Sequence, residues 1–382
     1  MSKARLCLLA AVLALALAAQ ALQAVAGGGP GGFRLELVQA VELSREAVVV
    51  DAEPVAGSIV ALIAGPQGFS VAKYVAGALE WSEPVEPPEG WRGFEPLSLD
   101  VVGESIIVYA RGREGIDEAL AVYRLGLAGG EPGLEAVYTL GESALVYGAT
   151  QTPSGIAAFG SRFTGFETGW DPAVYMIDPA AGSVRLDLLL EMPGDNRAVA
   201  AAFSEGYACM VVESGEPGVG PAVEAVCAGR GGGAEPPIPM PGGLQAGVLA
   251  WDGCVVWWSG GKALASTLPP EPGAATPLKT LERVLAASIA VVGGERLLAA
   301  GGSLGGEAAL ALMSGCPPET LATARLGVEG AVASAWGGEG EIAVYVASPE
   351  GTALALYTIS IPGGDTGGGA EEAQPPPEEE PE

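Results

Sequence analysis

The chain is 382 residues long, carries 46 acidic against 18 basic residues for a formal net charge of −28, and is 49% hydrophobic. Charge of that sign repels nucleic acid and anionic membrane, which leaves cations, basic surfaces and neutral molecules as compatible partners. There is no histidine, so His general bases, Ser-His and Cys-His nucleophile systems and His-ligated zinc or copper are excluded.

The chain opens on a short basic region, Lys3 and Arg5, then an apolar Leu/Ala run from Leu6 to Ala19, then Ala24-Val25-Ala26 ahead of Gly27. This pattern predicts a secretory signal peptide over residues 1–26. Left uncleaved, the same segment would act as an anchor; once it is cleaved, no membrane anchor is expected. Cys7 lies too early for a lipoprotein cysteine, and no second apolar run is long enough to span a bilayer. Glu outnumbers Asp, Arg outnumbers Lys, and Asn196 is the only Asn. Few thermolabile amides fits both a hyperthermophile tendency and a codon bias.

Between residues 27 and 362 a unit of about 46 residues returns seven times, with starts near Ala47, Leu97, Ala144, Ala198, Leu244, Leu285 and Ala331. Nearly every unit reads as four short strands. The second runs Leu97–Val102, Ser105–Ala110, Ala119–Leu125 and Glu135–Leu140; the third runs Ala144–Thr150, Ile156–Gly160, Ala173–Ile177 and Val184–Leu190. Val, Ile, Leu, Ala and Tyr fill these runs, and Gly, Pro, Asp or Glu bound them. The first strand of each unit is built of small or apolar residues, as in Ala198–Phe203, which suits a crowded inner ring. Four strands per unit at this period predict an all-β fold, a seven-bladed β-propeller of four-stranded antiparallel blades.

The seventh unit supplies only three strands, Ala331–Trp336, Ile342–Ala347 and Ala353–Ser360, while one strand, Arg34–Glu42, is left over ahead of the first unit. Placed as the outer edge of the last blade, it closes the ring and removes an open sheet edge. A misread fifth unit would leave six blades. Residues 363–382, mostly Gly, Pro and Glu, bury too little apolar surface to offset ordering entropy and are expected to be disordered. The stretch Val174–Leu186, VYMIDPAAGSVRL, resembles one outer hairpin of a pyrroloquinoline-quinone-type propeller repeat, although the Trp that ends that repeat is absent. The resemblance covers about 13 residues, implies the propeller class and says nothing of a cofactor; no cofactor is expected.

Three motif matches lose their chemistry in this setting. Gly301-Gly302-Ser303-Leu304-Gly305 fits a nucleophile elbow, but falls in a hairpin and lacks a His partner. Ser70 and Lys73 stand three apart on a strand and face opposite sides. Gly27, Gly29 and Gly32 precede no helix. Cysteines say more. Four follow the leader, an even number that favours disulfides in an exported chain. Cys209 and Cys227 lie opposite each other on the second and third strands of unit four. Cys254 and Cys316 fall on one face of adjacent units. Four free thiols are the alternative, and no metal site is expected because no C-x-x-C pair exists.

The longest connections on the face that carries the second-to-third-strand turns are Glu83–Pro96, Arg111–Glu118 and Ser161–Pro172. They hold Trp91, Arg92, Arg111, Arg113, Arg162, Phe166 and Trp170. Aromatics beside arginines in a chain this acidic predict a site for an anionic or carbohydrate-like ligand, or for a surface protein. The competing expectation is that the rings cover blade ends and each Arg pairs with a nearby Glu. Two functions are compatible: an exported, non-catalytic binding propeller at or outside the cell surface, or an extracellular carboxylate-dependent hydrolase or lyase acting on a polysaccharide. Carboxylates converging on the central channel would favour the enzyme. Glu104, Glu142, Glu205 and Asp252 lie near inner-strand ends, but suit solvated turns.

Overall fold

The computed structural model describes residues 33–360, apart from 45, 166–168, 205, 216–221, 230–233, 243–244 and 271–272. The predicted signal peptide, the tail and Phe166 lie outside the described residues. Seven four-stranded antiparallel sheets form a ring. The innermost strands are Val48–Val55, Arg92–Val102, Ala144–Thr152, Asp195–Ser204, Ala246–Trp251, Arg283–Val292 and Ala331–Gly337, for blades 1 to 7 in turn. These first strands approach their counterparts in neighbouring blades around the axis. The antiparallel order puts the first-to-second and third-to-fourth turns on one face, and the second-to-third turns with the blade linkers on the other.

Blade 7 is built from both ends of the domain. Its three C-terminal strands are completed by Arg34–Leu43, which pairs antiparallel with Thr352–Ser360 in register from Arg34 opposite Ser360 to Leu43 opposite Thr352. Blade 5 has a short outer strand, Thr276–Pro277, but is a full sheet, so the count is seven.

The apolar core is divided rather than central. Each interface between neighbouring blades holds its own buried cluster among the described residues. At the interface of blades 2 and 3, Tyr109 and Leu120 meet Ala158 and Tyr175; at that of blades 4 and 5, Val211 and Cys209 meet Trp257. Alternation along each strand therefore serves two neighbours: one side chain faces the preceding blade and the next faces the following one. Each large side chain so buried stabilises the ring by roughly 1.5–3 kcal/mol.

Six of the seven inner strands carry a bulge near their start, where the partner register skips Val50, Leu97, Tyr147, Val199, Leu285 or Ala333. A bulge adds local twist and re-aims the following side chains. In blades 3 and 6 the residue facing the skipped position is glycine for steric reasons. A Cβ on Gly160 would lie 1.9 Å from the Leu145 carbonyl oxygen, and one on Gly302 would lie 1.8 Å from that of Arg283.

Both cysteine pairs sit at bonding distance. Cys209 and Cys227 are direct cross-strand partners in blade 4, and Cys254 in blade 5 reaches Cys316 in the third-to-fourth-strand turn of blade 6. The Val174–Leu186 stretch forms the outer hairpin of blade 3, with Asp178 Oδ1 accepting the N–H groups of Ala180 and Ala181 in its turn. Lys73 pairs with Glu80 rather than with Ser70.

Candidate functional site

The cationic site grows out of a bulge in blade 2. Gly93 adopts φ +63, a conformation that costs glycine little, and the register skips from Arg92 to Glu95. As a result Arg92 stands directly opposite Arg113, and Glu95 opposite Arg111. One strand further on, Arg113 is opposite Glu118. Cross-strand partners share a face, so Arg92, Arg113 and Glu118 form a row across the blade, with Glu95 and Arg111 in the row beside it. The face looks onto the inner strand of blade 3. Together with Gly93, Gly115 and Leu145, these five side chains line a cleft of about 430 Å3.

The two rows differ electrostatically. Arg111 is fully engaged: Nε and Nη2 donate to Glu95 Oε2 at 2.9 and 2.5 Å, Nη1 donates to the Val146 carbonyl at 2.6 Å, and the guanidinium lies 5.3 Å from the centre of the Tyr147 ring. Tyr147 is the bulged residue of blade 3, which turns its ring toward this contact. Arg113 is half-exposed and, among the described residues, has only a looser pairing, Nε to Glu118 Oε2 at 3.5 Å. Arg92 is exposed and makes no ion pair among the described residues. Glu118 is 4% exposed, and its Oε1 accepts the Val146 N–H at 3.1 Å. Burial pushes its carboxyl above the usual range, against the lowering by Val146, Arg111 and Arg113.

The remaining sequence-selected residues separate from this row. Trp91 lies on the other side of blade 2, where the missing side chain of Gly112 leaves room for its ring, and packs near Phe94 in the blade 1–blade 2 cluster. Trp170 is half-buried against Phe163, ring centres 5.6 Å apart, and its backbone N–H donates to Asp195 Oδ1. Arg162 lies beside the Tyr175 hydroxyl, which also feels the charge of Glu118. The three connections are also shorter than their spacing implied. Strands run to Glu114 and resume at Asp117, run to Gly165 and resume at Gly169, and begin at Arg92. Cross-strand partners Glu95 and Glu118 let the charged segment of Arg111 and Arg113 continue as ladder, and Arg162 is a strand residue opposite Asp171.

A second concavity lies in the central channel. It measures about 640 Å3 and includes Asp51, Ser98, Asp100, Gln151, Phe203 and Tyr207 in its lining. Pro153, Ser154 and Gly206, from first-to-second-strand hairpins, also line it, so it opens on the face opposite the arginine cleft. The carboxylates here are not those the strand-end count singled out: Glu104 and Glu142 are exposed, Asp252 pairs with Arg296, and Glu205 lies outside the described residues.

Asp51 and Asp100 instead sit within inner strands and bind the open edge of the next blade. Asp51 Oδ2 accepts the Leu99 N–H and Oδ1 its neighbour Ala52, both at 2.9 Å; Asp100 Oδ2 accepts the Gln151 N–H at 2.9 Å. Glu53 bonds Val101 in the same manner. Burial, reinforced by their mutual repulsion and opposed by these N–H bonds, pushes Asp51 and Glu53 up to about 7; burial also raises Asp100. Acids in the middle of an otherwise apolar inner strand, as Asp51 and Glu53 in Val48–Val55, were the available sequence signal.

No family model matches the chain, and no curated protein matches it. Among solved structures, similar chains include the alpha-L-arabinofuranosidase Arb93a from Fusarium graminearum, in a mutant form with an iminosugar inhibitor, at 11% identity and TM-score 0.48, covering 75% of this chain and 94% of that one. A mutant of the Synechocystis apocarotenoid oxygenase superposes with TM-score 0.43 at 10% identity, covering 72% and 71%. With identities this low and TM-scores below 0.5, the assignment of this chain to the seven-bladed propellers stands on its own strand pairing.

Proposed function

We propose that the chain is an exported, non-catalytic propeller that binds an anionic group of an extracellular ligand or surface protein at the Arg92–Arg113 cleft. The observation that carries this reading is the like-charge pair itself. Two guanidiniums directly opposite on one face repel each other, and they do so in a chain with only 18 basic residues. An oxyanion between them removes the repulsion and accepts hydrogen bonds from both, in the geometry for which guanidinium is suited. The acidic remainder of the body disfavours an anion elsewhere. Two disulfide-distance cysteine pairs and the predicted leader support export.

Titration calorimetry with sodium sulfate and with sulfated oligosaccharides tests this. Arg92→Ala and Arg113→Ala are each expected to weaken binding by roughly 1.5–3 kcal/mol, the range for hydrogen bonds to charged groups, with the melting temperature unchanged. Full binding by both variants would refute the assignment.

A second reading, a carboxylate-dependent polysaccharide hydrolase or lyase, is favoured by one observation: Asp51 and Asp100 line the channel, and both act electrostatically on Glu53. Against it, both Asp51 oxygens are occupied by backbone N–H groups. Release of reducing ends or unsaturated products from a polysaccharide panel, abolished by Asp100→Asn, would support the enzyme over the binding module.

A further inference from the structure

The arginine cleft already contains an anion of its own. Glu118 completes the row that begins with Arg92 and Arg113, yet it is the one member that is buried. Its carboxylate faces Arg113 and Arg111 from the second strand of its own blade. From blade 3 it faces the Val146 N–H, with Tyr175 and Arg162 behind. Glu95, the other acid of the cleft, is spent on Arg111. Glu118 therefore decides whether Arg113 is neutralised from within or is open to an outside charge.

We propose that Glu118 is a built-in occupant of the cleft and that an external oxyanion binds together with one proton, which neutralises Glu118 and releases Arg113. This deepens the anion-binding reading and rests on it. The geometry supplies the exchange. Glu118 Oε2 is 3.5 Å from Arg113 Nε, a distance too long for a strong hydrogen bond and easily given up. Glu118 Oε1 stays on Val146 in either protonation state, so the carboxyl need not move. Arg113 then turns its donors to the ligand beside Arg92. Burial raises the affinity of Glu118 for protons, the direction that the exchange requires. Binding above the Glu118 titration range takes up one proton, and affinity falls by up to about tenfold for each pH unit there.

The test is titration of the full chain with sodium sulfate between mildly acidic and mildly alkaline pH, in buffers of different ionisation enthalpy. Sulfate keeps its charge across that range, so the pH dependence belongs to the protein. Wild type is expected to take up close to one proton per sulfate at the alkaline end, and to weaken steeply with rising pH. Glu118→Gln keeps an acceptor for Val146 and is expected to bind with no proton uptake, holding near the wild-type acidic-limit affinity at every pH. Its melting temperature reports whether the fold is kept. A Glu118→Gln protein with the wild-type slope and proton uptake would overturn the exchange and leave the arginine site standing, provided that Arg113→Ala weakens binding. Absence of sulfate binding by wild type at every pH, or full binding by Arg92→Ala and Arg113→Ala, would remove the site and the exchange together. Failure of Glu118→Gln to fold is resolved with Glu118→Ala, which is expected to abolish proton uptake in the same way.

Discussion

Gln39 Oε1 accepts the backbone N–H of Gly77 at 2.7 Å, linking the strand that precedes the ring to blade 1, which follows it. The same side chain donates from Nε2 to the carbonyls of Gly57 and Tyr74, and is 4% exposed. Glu341 of blade 7 accepts the Gly57 N–H at 2.9 Å. Closure thus has two parts: a ladder with blade 7, and an amide that spans to blade 1. Gln39→Ala is expected to destabilise the domain by roughly 1–3 kcal/mol for each buried group left unpaired, read as a shifted urea midpoint. Deletion of Arg34–Leu43 is expected to lower the melting temperature of the whole ring in one transition. An unchanged midpoint in both proteins would deny that this strand closes the structure.

Stability is expected to rise as pH falls, the reverse of ordinary acid denaturation. Burial raises the carboxyls of Asp51 and Glu53 to about 7, and also raises Asp100, Glu118 and Glu341. A raised folded-state value means that the native state binds protons which the unfolded chain has released. The stabilisation is therefore fully present below the unfolded values of 3.8 and 4.5, and is lost as pH rises through about 7. Thermal unfolding at about pH 5 should give a higher midpoint than at about pH 8, and Asp51→Asn should flatten that difference. A higher midpoint in alkali would contradict it.

The two cysteine pairs differ in what they constrain. Cys209–Cys227 closes 18 residues inside one blade, whereas Cys254–Cys316 closes 62 and ties blade 5 to blade 6. The chain-entropy relation gives about 3 kcal/mol for the shorter loop and about 4 for the longer. Cys254→Ser with Cys316→Ser is expected to lower the denaturant midpoint more than Cys209→Ser with Cys227→Ser. Peptide mapping without reductant should recover both pairs as linked fragments, and recovery of four alkylatable thiols would remove both.

Gly160→Ala and Gly302→Ala should each destabilise the ring by about 1–3 kcal/mol, because the added methyl meets a backbone carbonyl rather than a movable side chain. Gly182→Ala serves as the contrast. It sits in the exposed outer turn of blade 3 with nothing near its missing Cβ, so its φ of +62 is the only source of strain. Equal losses at all three positions in chemical denaturation would show that the bulge geometry is not what requires glycine at 160 and 302.

What could be read from the amino acids alone follows from what repeats. The seven units, the leftover strand Arg34–Glu42 and the positions of the four cysteines are features of spacing, and all three appear in the fold. Bulges are not features of spacing. They arise where two residues oppose one, so the skip between Arg92 and Glu95 left no periodic trace, and with it the pairing of Arg92 with Arg113 was hidden. Glycines and charges between Arg111 and Glu118 read as a loop, because the compensating Glu95 is supplied from another strand. The aromatic rings Trp91 and Trp170 stand near the arginines in sequence, although alternation sends Trp91 to the opposite side of the same blade. Asp51 and Asp100 leave little trace in the sequence, because their partners are backbone N–H groups of the next unit, which have no signature in side-chain composition.

Arg34 and Ser360 are cross-strand partners, so the points where the chain joins and leaves the ring lie about one strand spacing apart, near 5 Å. The ring therefore has a seam rather than two free ends, and the seam takes the place of the third-to-fourth-strand turn of blade 7, at the outer edge of the face on which the channel concavity opens. Joining the two points with a short linker and reopening the chain in another outer turn would move the seam without changing any blade. Anything fused before Arg34 or after Ser360 departs from one place at the outer edge of that face, and leaves the opposite face, with its arginine cleft, uncovered.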